Sequence, residues 1–281
     1  MRAAGPILAS VYLVERECGY VRLVRFLDAG IERWGLLTEE TGRLPQAEWE
    51  IRVHEGDPFA ADQFAPTGRV AGIGEVKLLA PCRPTKIVAV GLNYADHARE
   101  MGHELPKNPI LFLKPPTTVV GPEDAIISPS QSRQVEYEAE LAVVVKDAMK
   151  DVPPREVKRH LLGYTCLNDV TARDLQRGDG QWTRAKSFDT FCPMGPCVTD
   201  EIDPDRTSVE LYLNGERRQA SSTENFIFDI STLVSFVSEI MTLLPGDVVT
   251  TGTPSGVGPM KPGDVVEVRV AGVGSLINTV R

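Results

Sequence analysis

Cysteine is scarce in this sequence, and no pair has the spacing of a redox or zinc-binding motif. The chain has 5 cysteines among 281 residues, without a Cys-x-x-Cys. Cys192 and Cys197 are closest in sequence, and we interpret them as two buried thiols. This usage fits a reducing compartment, so we predict a cytoplasmic location.

Long apolar runs and an excess of basic residues are also missing. No segment approaches the length of a transmembrane helix. The mildly apolar residues 3–14 are interrupted by Gly5 and Pro6 and precede no clear cleavage site, so we expect no signal peptide. The net charge of −9 argues against nucleic acid, and no low-complexity tract occurs. We therefore expect neither a membrane nor a nucleic acid as partner.

The composition allows a large core with many turns. Hydrophobic residues make up 42% of the chain, which also has 24 glycines and 21 prolines. Strand-like segments outnumber helix-like ones without regular alternation, which predicts a β-rich α+β protein. We predict that residues 1–80 form a small β-rich N-terminal unit, with strands at 21–26 and 34–37. The segment 81–84 predicts the boundary to a second unit at 81–281.

Three local patterns predict elements of the second unit. Asn214-Gly215 suits the type I′ turn of a hairpin. Residues 230–243 carry one apolar stripe at helical spacing. The sequence Pro-Gly-Asp-Val-Val occurs at 245–249 and again at 262–266, and we interpret it as two similar turn-strand units.

Glutamates alternate along the segment 136–140, at the start of an otherwise apolar strand. Glu136, Glu138 and Glu140 would share one face, roughly 7 Å apart along the chain. Such a row of like charges predicts a cationic partner. A solvated edge strand explains the segment equally well, because glutamates on edges prevent aggregation.

Residues 168–176 read as a strand end that opens into a short helix capped by Asn168 or Asp169. In that helix Asp169, Arg173 and Gln176 would stand on one face, with Leu175 toward the core. A solvated capped helix is the ordinary alternative. Lys186 follows between apolar neighbours and is unremarkable alone.

Residues 88–102 predict a strand, a turn and a short helix capped by Asn93 and ended by Gly102. His97 and Glu100 are three residues apart, so the carboxylate can orient the imidazole as a general base requires. Such a pair is more often a surface contact. The residues after Gly102 offer few apolar anchors, which suggests a mobile segment over a site.

Six segments in order resemble the successive motifs of the fumarylacetoacetate hydrolase family. They are residues 91–97, 111–115, 136–141, 168–174, 185–189 and 251–258. The likeness runs from about Lys86 to the C-terminus, and it is the fixed order that makes it specific. The resemblance implies that the second unit, residues 81–281, is the catalytic unit and has the family's rolled β-sandwich core.

The resemblance also implies roles for individual residues. Glu138, Glu140 and Asp169 correspond to ligands of a divalent cation, with Glu136 one step outside. Residues that correspond to substrate-binding positions are Arg173, Gln176, Lys186 and Thr253. His97 and Glu100 correspond to the pair that activates water, and Lys186 also belongs to the catalytic set.

One position departs from the long eukaryotic fumarylacetoacetases. Those enzymes carry a fourth carboxylate seven residues before the histidine, where this chain has Val90. The chain therefore looks like the smaller family members, with water in the vacant coordination position. Three carboxylates without His or Cys are hard ligands, suited to Mg²⁺, Mn²⁺ or Ca²⁺.

The sequence therefore predicts a Mg²⁺- or Mn²⁺-dependent hydrolase that cleaves a C–C bond in a small anionic 2,4-dioxo acid. In this hypothesis His97 deprotonates the attacking water, and the metal stabilises the departing enolate. A decarboxylase of an oxaloacetate-like acid and a 2-hydroxydienoate isomerase are the alternatives, and a non-catalytic metal-binding scaffold fits less well. By family analogy we also predict a homodimer.

Overall fold

The computed structural model describes residues 21–38, 45–60, 64–100, 102 and 104–281. The strands of the described residues are β1 (Arg22–Asp28), β2 (Ile31–Leu37), β3 (Glu50–Glu55), β4 (Ala65–Gly72), β5 (Lys77–Leu79), β6 (Ile87–Gly91), β7 (Ile110–Lys114), β8 (Val119–Val120), β9 (Ala125–Ile126), β10 (Val135–Tyr137), β11 (Ala139–Val145), β12 (Leu161–Asn168), β13 (Thr171–Ala172), β14 (Cys192–Thr199), β15 (Ser208–Leu213), β16 (Glu216–Ser222), β17 (Val248–Thr250), β18 (Gly258–Met260), β19 (Val265–Val270) and β20 (Gly274–Val280). The α-helices are α1 (Ala95–Glu100), α2 (Pro154–Val157), α3 (Arg173–Asp179), α4 (Thr183–Lys186) and α5 (Ile230–Ile240).

The largest sheet has the strand order β4-β3-β2-β1-β14-β12-β11-β17-β6-β7, with β5 and β8 attached at its side. Strand β11 lies between β12 and β17, and every residue from Ala139 to Val145 is buried. Burial on both faces explains why its sequence after Glu140 is continuously apolar. The alternative of a solvated edge strand for this segment is therefore wrong.

A second sheet, in the order β16-β15-β19-β20-β9, packs against the large one. Apolar side chains of both sheets share one buried core, to which Val143, Leu211 and Val268 contribute. A small sheet, β13-β10-β18, lies beside them and carries Glu136. This arrangement confirms the predicted β-rich α+β class with a β-sandwich core.

The hairpin and helix predictions hold, with one change of boundary. Asn214 and Gly215 have φ angles of 53° and 80°, as the type I′ turn between β15 and β16 requires. Helix α5 is capped by Asp229, whose carboxylate accepts from the Thr232 N–H at 2.8 Å. It ends before the predicted residue 243 because Leu243 exchanges backbone hydrogen bonds with Met149.

The two Pro-Gly-Asp-Val-Val segments form turns before β17 and β19, as predicted. Gly246 and Gly263 take positive φ angles of 82° and 95°. Asp247 is fully buried and accepts hydrogen bonds from the backbone N–H groups of Thr85, Lys86 and Leu244 and from the Lys86 ammonium. Its carboxylate therefore fixes the chain that enters β6.

The N-terminal strands continue the large sheet instead of standing apart from it. Strand β1 pairs with β14, with Leu23 opposite Val198. The predicted strands lie within β1 and β2, both of which extend further. The division at residue 80 stays a prediction, and residues 3–14 lie outside the described residues.

Two further sequence features concern possible membrane helices and the cysteines of the described residues. None of the helices described there is long and apolar enough to cross a membrane. Cys192 and Cys197 lie on β14 as buried free thiols, as the sequence predicted.

Candidate active site

Three carboxylates meet where β11 begins and β12 ends. Glu138 occupies the break between β10 and β11, Glu140 lies on β11, and Asp169 follows β12. The pairing of Ala139 with Asn168 places Asp169 beside Glu138, and the Asp169 N–H donates to the Glu138 carbonyl at 2.9 Å. Ligand oxygens of all three lie within 4.8 Å of one another, and all three residues are buried.

The predicted helix start at Asn168 or Asp169 is wrong. Thr171 and Ala172 pair with β10 as strand β13, so helix α3 begins only at Arg173. The Asn168 side chain accepts from the Glu138 N–H at 2.9 Å and caps no helix. Asp169 therefore reaches the site from a strand connection, while Arg173 and Gln176 share the helix and Leu175 packs on the core.

Three cationic side chains surround the triad. The Lys186 ammonium, on α4, lies 2.8 Å from Glu138 Oε2 and 2.6 Å from Asp169 Oδ2. The Lys114 ammonium, at the end of β7, lies 2.5 Å from Asp169 Oδ1. The Arg173 guanidinium bonds Glu138, Glu136 and the amide oxygen of Gln176. Glu136 is thus a partner of Arg173 and stands outside the triad, as predicted.

The surrounding charges shift the pKa values of Glu138 and Glu140 in opposite directions. Burial disfavours the charge on Glu138, but the nearby Lys186 and Arg173 more than offset burial and lower its pKa to about 2. Burial, and then the charges of Asp169 and Glu138, raise the pKa of Glu140 to about 8. Glu140 Oε2 accepts the Gly252 N–H at 2.8 Å. Among the described residues Glu138 and Asp169 each form ion pairs with a lysine, whereas Glu140 forms none.

A divalent cation fits this donor set. Glu138, Glu140 and Asp169 offer hard oxygen ligands at spacings that one ion can span. With Glu136 included and Glu140 ionised, the site has four carboxylates and the three cations of Lys114, Lys186 and Arg173, which leaves one negative charge. A dication would turn this into one positive charge. The loaded site would therefore attract an anion.

His97 and Glu100 form the predicted pair on helix α1. His97 Nδ1 lies 3.0 Å from Glu100 Oε2, and the imidazole is largely buried whereas the Glu100 side chain is 40% exposed. The predicted cap at Asn93 is wrong. Its amide instead bonds the backbones of Phe228 and Thr251, and Asn93 is fully buried. Gly102, with φ 67°, ends this segment as predicted.

One cavity of about 90 Å³ joins these groups. The predicted site residues on its wall are His97, Glu138, Asp169, Arg173, Gln176, Lys186 and Thr253. Glu140 completes the triad behind them, and Glu100 supports His97 from outside. Val90 also lines the cavity, where the long fumarylacetoacetases place a carboxylate.

An aromatic wall closes another side of the cavity. Phe112 and Trp182 meet edge to face with ring centroids 5.2 Å apart, and the Lys186 ammonium lies 5.1 Å from the Phe112 ring centre. Gly91 is needed here because a Cβ atom would lie 2.7 Å from the Trp182 ring. Sequence reasoning gave no role to these aromatic residues.

Lys114 and Gln219 were also missed. Gln219 is buried, accepts from the Ala139 N–H at 2.9 Å, and donates to Thr253 Oγ1 at 2.9 Å. It therefore connects strand β11 to the loop that carries Thr253. For Lys114, the available signals were its position at the end of the apolar strand β7 and its place in the motif at 111–115.

Two family models match the chain. Residues 86–281 match the model described as fumarylacetoacetate (FAA) hydrolase C-terminal. Residues 21–81 match the model described as Rv2993c-like, N-terminal.

Named relatives carry different activities. Oxaloacetate tautomerase Fahd2a, mitochondrial, of Rattus norvegicus is 42% identical over 73% of this chain and 70% of its own. The crystal structure of 2-hydroxyhepta-2,4-diene-1,7-dioate isomerase from Mycobacterium marinum is 39% identical with TM-score 0.84, over 92% of this chain and 98% of that one. Fumarylpyruvate hydrolase from Pseudomonas aeruginosa, solved with Mn²⁺ and pyruvate, is 34% identical with TM-score 0.67, over 72% and 90%.

The motif order, the triad with its lysines and the model match over residues 86–281 agree with one another. The chain belongs to the fumarylacetoacetate hydrolase family.

Proposed function

We propose that this protein is a Mg²⁺- or Mn²⁺-dependent enzyme that catalyses keto–enol tautomerisation of a small, oxaloacetate-like 2-oxo acid. The observation that carries the proposal is the single cavity that joins the carboxylate triad, Lys186 and His97. The imidazole of His97 thereby lies in the same small cavity as a metal site that, once loaded, would attract an anion. Proton transfer next to a keto group requires this combination.

Each side chain has a separate task in this proposal. Lys186 and Arg173 hold the carboxylate of the substrate through charge-assisted hydrogen bonds. Glu100 accepts the Nδ1 hydrogen of His97, which leaves Nε2 to exchange a proton with the carbon next to the keto group. In the keto-to-enol direction His97 removes a proton from that carbon, and the enolate oxygen takes up a proton from solvent. In the reverse direction the enol oxygen releases its proton to solvent, and His97 returns a proton to the carbon. When bound, the cation polarises the keto oxygen.

The relatives favour proton transfer over bond cleavage as the reaction of this protein. The two with the higher identity of the three described above are a tautomerase and an isomerase by name. Both names denote rearrangement without a water molecule as reactant. The buried His97, in a cavity of about 90 Å³, suits such a transfer to a small substrate.

Hydrolysis of a 2,4-dioxo acid is the second candidate, and the fumarylpyruvate hydrolase favours it. The same His97 would then deprotonate a water that attacks the distal carbonyl. The departing fragment is again an enolate. Decarboxylation of an oxaloacetate-like acid shares that enolate and requires no attacking water.

The test measures all three reactions on one preparation. Purified protein with Mg²⁺ receives enol-oxaloacetate or an acylpyruvate, and enol loss, CO₂ release and fragment formation are followed by absorbance and mass. We expect enol loss above the spontaneous rate. Replacement of His97 by alanine should lower that rate by about 10²–10⁴-fold, the usual contribution of a general base.

The control variant is His160→Ala, since His160 is the partly exposed neighbour of Asp147 and lies outside the cavity lining. Its activity should equal that of the unchanged protein. Fragment formation from acylpyruvates without enol turnover would show that the protein is a hydrolase and not a tautomerase. No turnover of any of these acids would overturn the proposed function.

A further inference from the structure

Helix α1 is held against the cavity by two carboxylates one turn apart. Asp96 Oδ2 accepts from the hydroxyl groups of Ser221 at 3.2 Å and Ser255 at 3.3 Å. Both oxygens of Glu100 accept from the Gly256 N–H, at 3.1 and 3.2 Å. The contacts therefore attach the helix to strand β16 and to the loop of residues 253–256, which we name the latch loop.

The same contacts orient the His97–Glu100 pair. Glu100 Oε2 faces His97 Nδ1 at 3.0 Å and the Gly256 N–H at 3.2 Å. A carboxylate that rotates away from Gly256 would lose the geometry that fixes the imidazole. The latch loop thus helps to fix the direction in which the Glu100 carboxylate faces His97.

The latch loop is in turn tied to the strand that carries the triad. Thr253 Oγ1 donates to the Ala139 carbonyl at 2.9 Å and accepts from Gln219 at 2.9 Å. A Cβ atom on Gly256 would lie 2.3 Å from the Arg218 carbonyl, so the loop is pressed against β16. Because Ala139 stands between two triad glutamates, the loop bridges the two halves of the site.

The serine hydroxyl groups have a defined direction. Ser221 Oγ accepts from the Asn225 amide at 3.1 Å, so its own hydrogen is available for Asp96. Asp96 is then the acceptor of both serine hydrogens, while its other oxygen accepts the His97 N–H at 2.9 Å. Loss of both hydroxyl groups would leave Asp96 bonded only within its own helix among these contacts.

We propose that Ser221 and Ser255 are positioning residues that hold helix α1 in place through Asp96 and so keep Glu100 directed at His97. They touch neither the triad nor the cavity wall among the described contacts. The effect on turnover rests on the proposed function, whereas the effect on the helix does not.

The experiment uses the double variant Ser221→Ala/Ser255→Ala in the Mg²⁺-loaded full chain. Amide hydrogen exchange of residues 95–100 should become faster, while Mn²⁺ affinity and the thermal midpoint stay unchanged. With enol-oxaloacetate, kcat should fall by about tenfold, the size expected for losing the bonds to a charged group, with KM changed less.

Two further variants make the result decisive. Ser222→Ala is the matched control, since Ser222 follows Ser221 on β16 and bonds Glu224 instead. The double threonine variant keeps both hydroxyl groups and should restore slow exchange and turnover.

Unchanged exchange in the double alanine variant would overturn the proposal, as would a fall in kcat that threonine does not rescue. If the double variant does not fold, the same comparison is made with each single alanine variant. If the double alanine variant exchanges faster but the unchanged protein turns over none of the acids, the positioning role of the two serines stands and the proposed function is rejected.

Discussion

Asp169 and Lys186 are in direct contact, 2.6 Å apart, yet their loss should have different effects. Asp169→Asn removes a charged ligand, so Mn²⁺ affinity should fall by at least the roughly 10–100-fold typical of an outer-shell partner. Lys186→Met removes an ammonium but keeps an apolar stem, so metal affinity should persist while substrate turnover falls. Calorimetric Mn²⁺ titration and initial rates separate the two. Loss of metal binding in Lys186→Met would contradict these roles.

The raised pKa of Glu140 leads to a prediction of how metal affinity depends on pH. Its pKa is raised to about 8 because burial and the charges of Asp169 and Glu138 disfavour the carboxylate. A cation must displace this proton, so Mn²⁺ affinity should rise as pH increases toward about 8 and level off above it. Titration at several pH values tests this. Glu140→Gln should bind weakly and lose the dependence, and a flat profile for the unchanged protein would contradict the prediction.

At single positions, sequence reasoning succeeded where the partners are close along the chain. The spacing of His97 and Glu100 is sufficient to place a carboxylate beside an imidazole. Lys114 and Gln219 instead meet Asp169 and Ala139 across 55 and 80 residues. Such pairs leave no local pattern, because the sheets alone bring them together. The triad itself was named through family resemblance and not through its spacing.

Among the elements, the turn before β17 carries the clearest stability prediction. Asp247→Ala would leave several buried N–H groups and the Lys86 ammonium without their acceptor, so we expect a loss of about 3–5 kcal/mol in unfolding free energy. Asp264→Ala, in the matching turn before β19, removes bonds from Lys261 and Asn214 and should cost about 1–2 kcal/mol. Urea unfolding measures both. Equal losses would contradict the special role of the first turn.

Element boundaries show what competes with a local signal. Residues 168–172 have a good cap for a helix, yet β10 and β11 offer backbone partners that keep Asn168, Thr171 and Ala172 extended. Helix α5 likewise stops early because Leu243 pairs with Met149. The Asn214-Gly215 turn was predictable since both positive φ angles are local requirements. Sheet pairing therefore decides where local preference is overruled.

For the whole molecule we predict a homodimer formed through the catalytic unit. Edge strand β7 exposes Ile110 at 38% and Leu113 at 49%, an apolar surface that a two-fold contact can cover. Light scattering at micromolar concentration should give twice the chain mass. Leu113→Glu should shift it toward the monomer, whereas Ile31→Glu on β2 should not. A monomeric mass for the unchanged protein would refute the prediction.

The junction of β1 with β14 has a consequence for any shortened form of this chain. Leu23 lies opposite Val198, and both side chains are almost wholly buried. A protein cut at residue 81 would expose this part of β14 as a free apolar strand edge, which invites pairing with other copies and aggregation. The N-terminal strands thus protect the edge of β14 from pairing with other copies. A truncated protein would need charged substitutions along β14 to avoid aggregation.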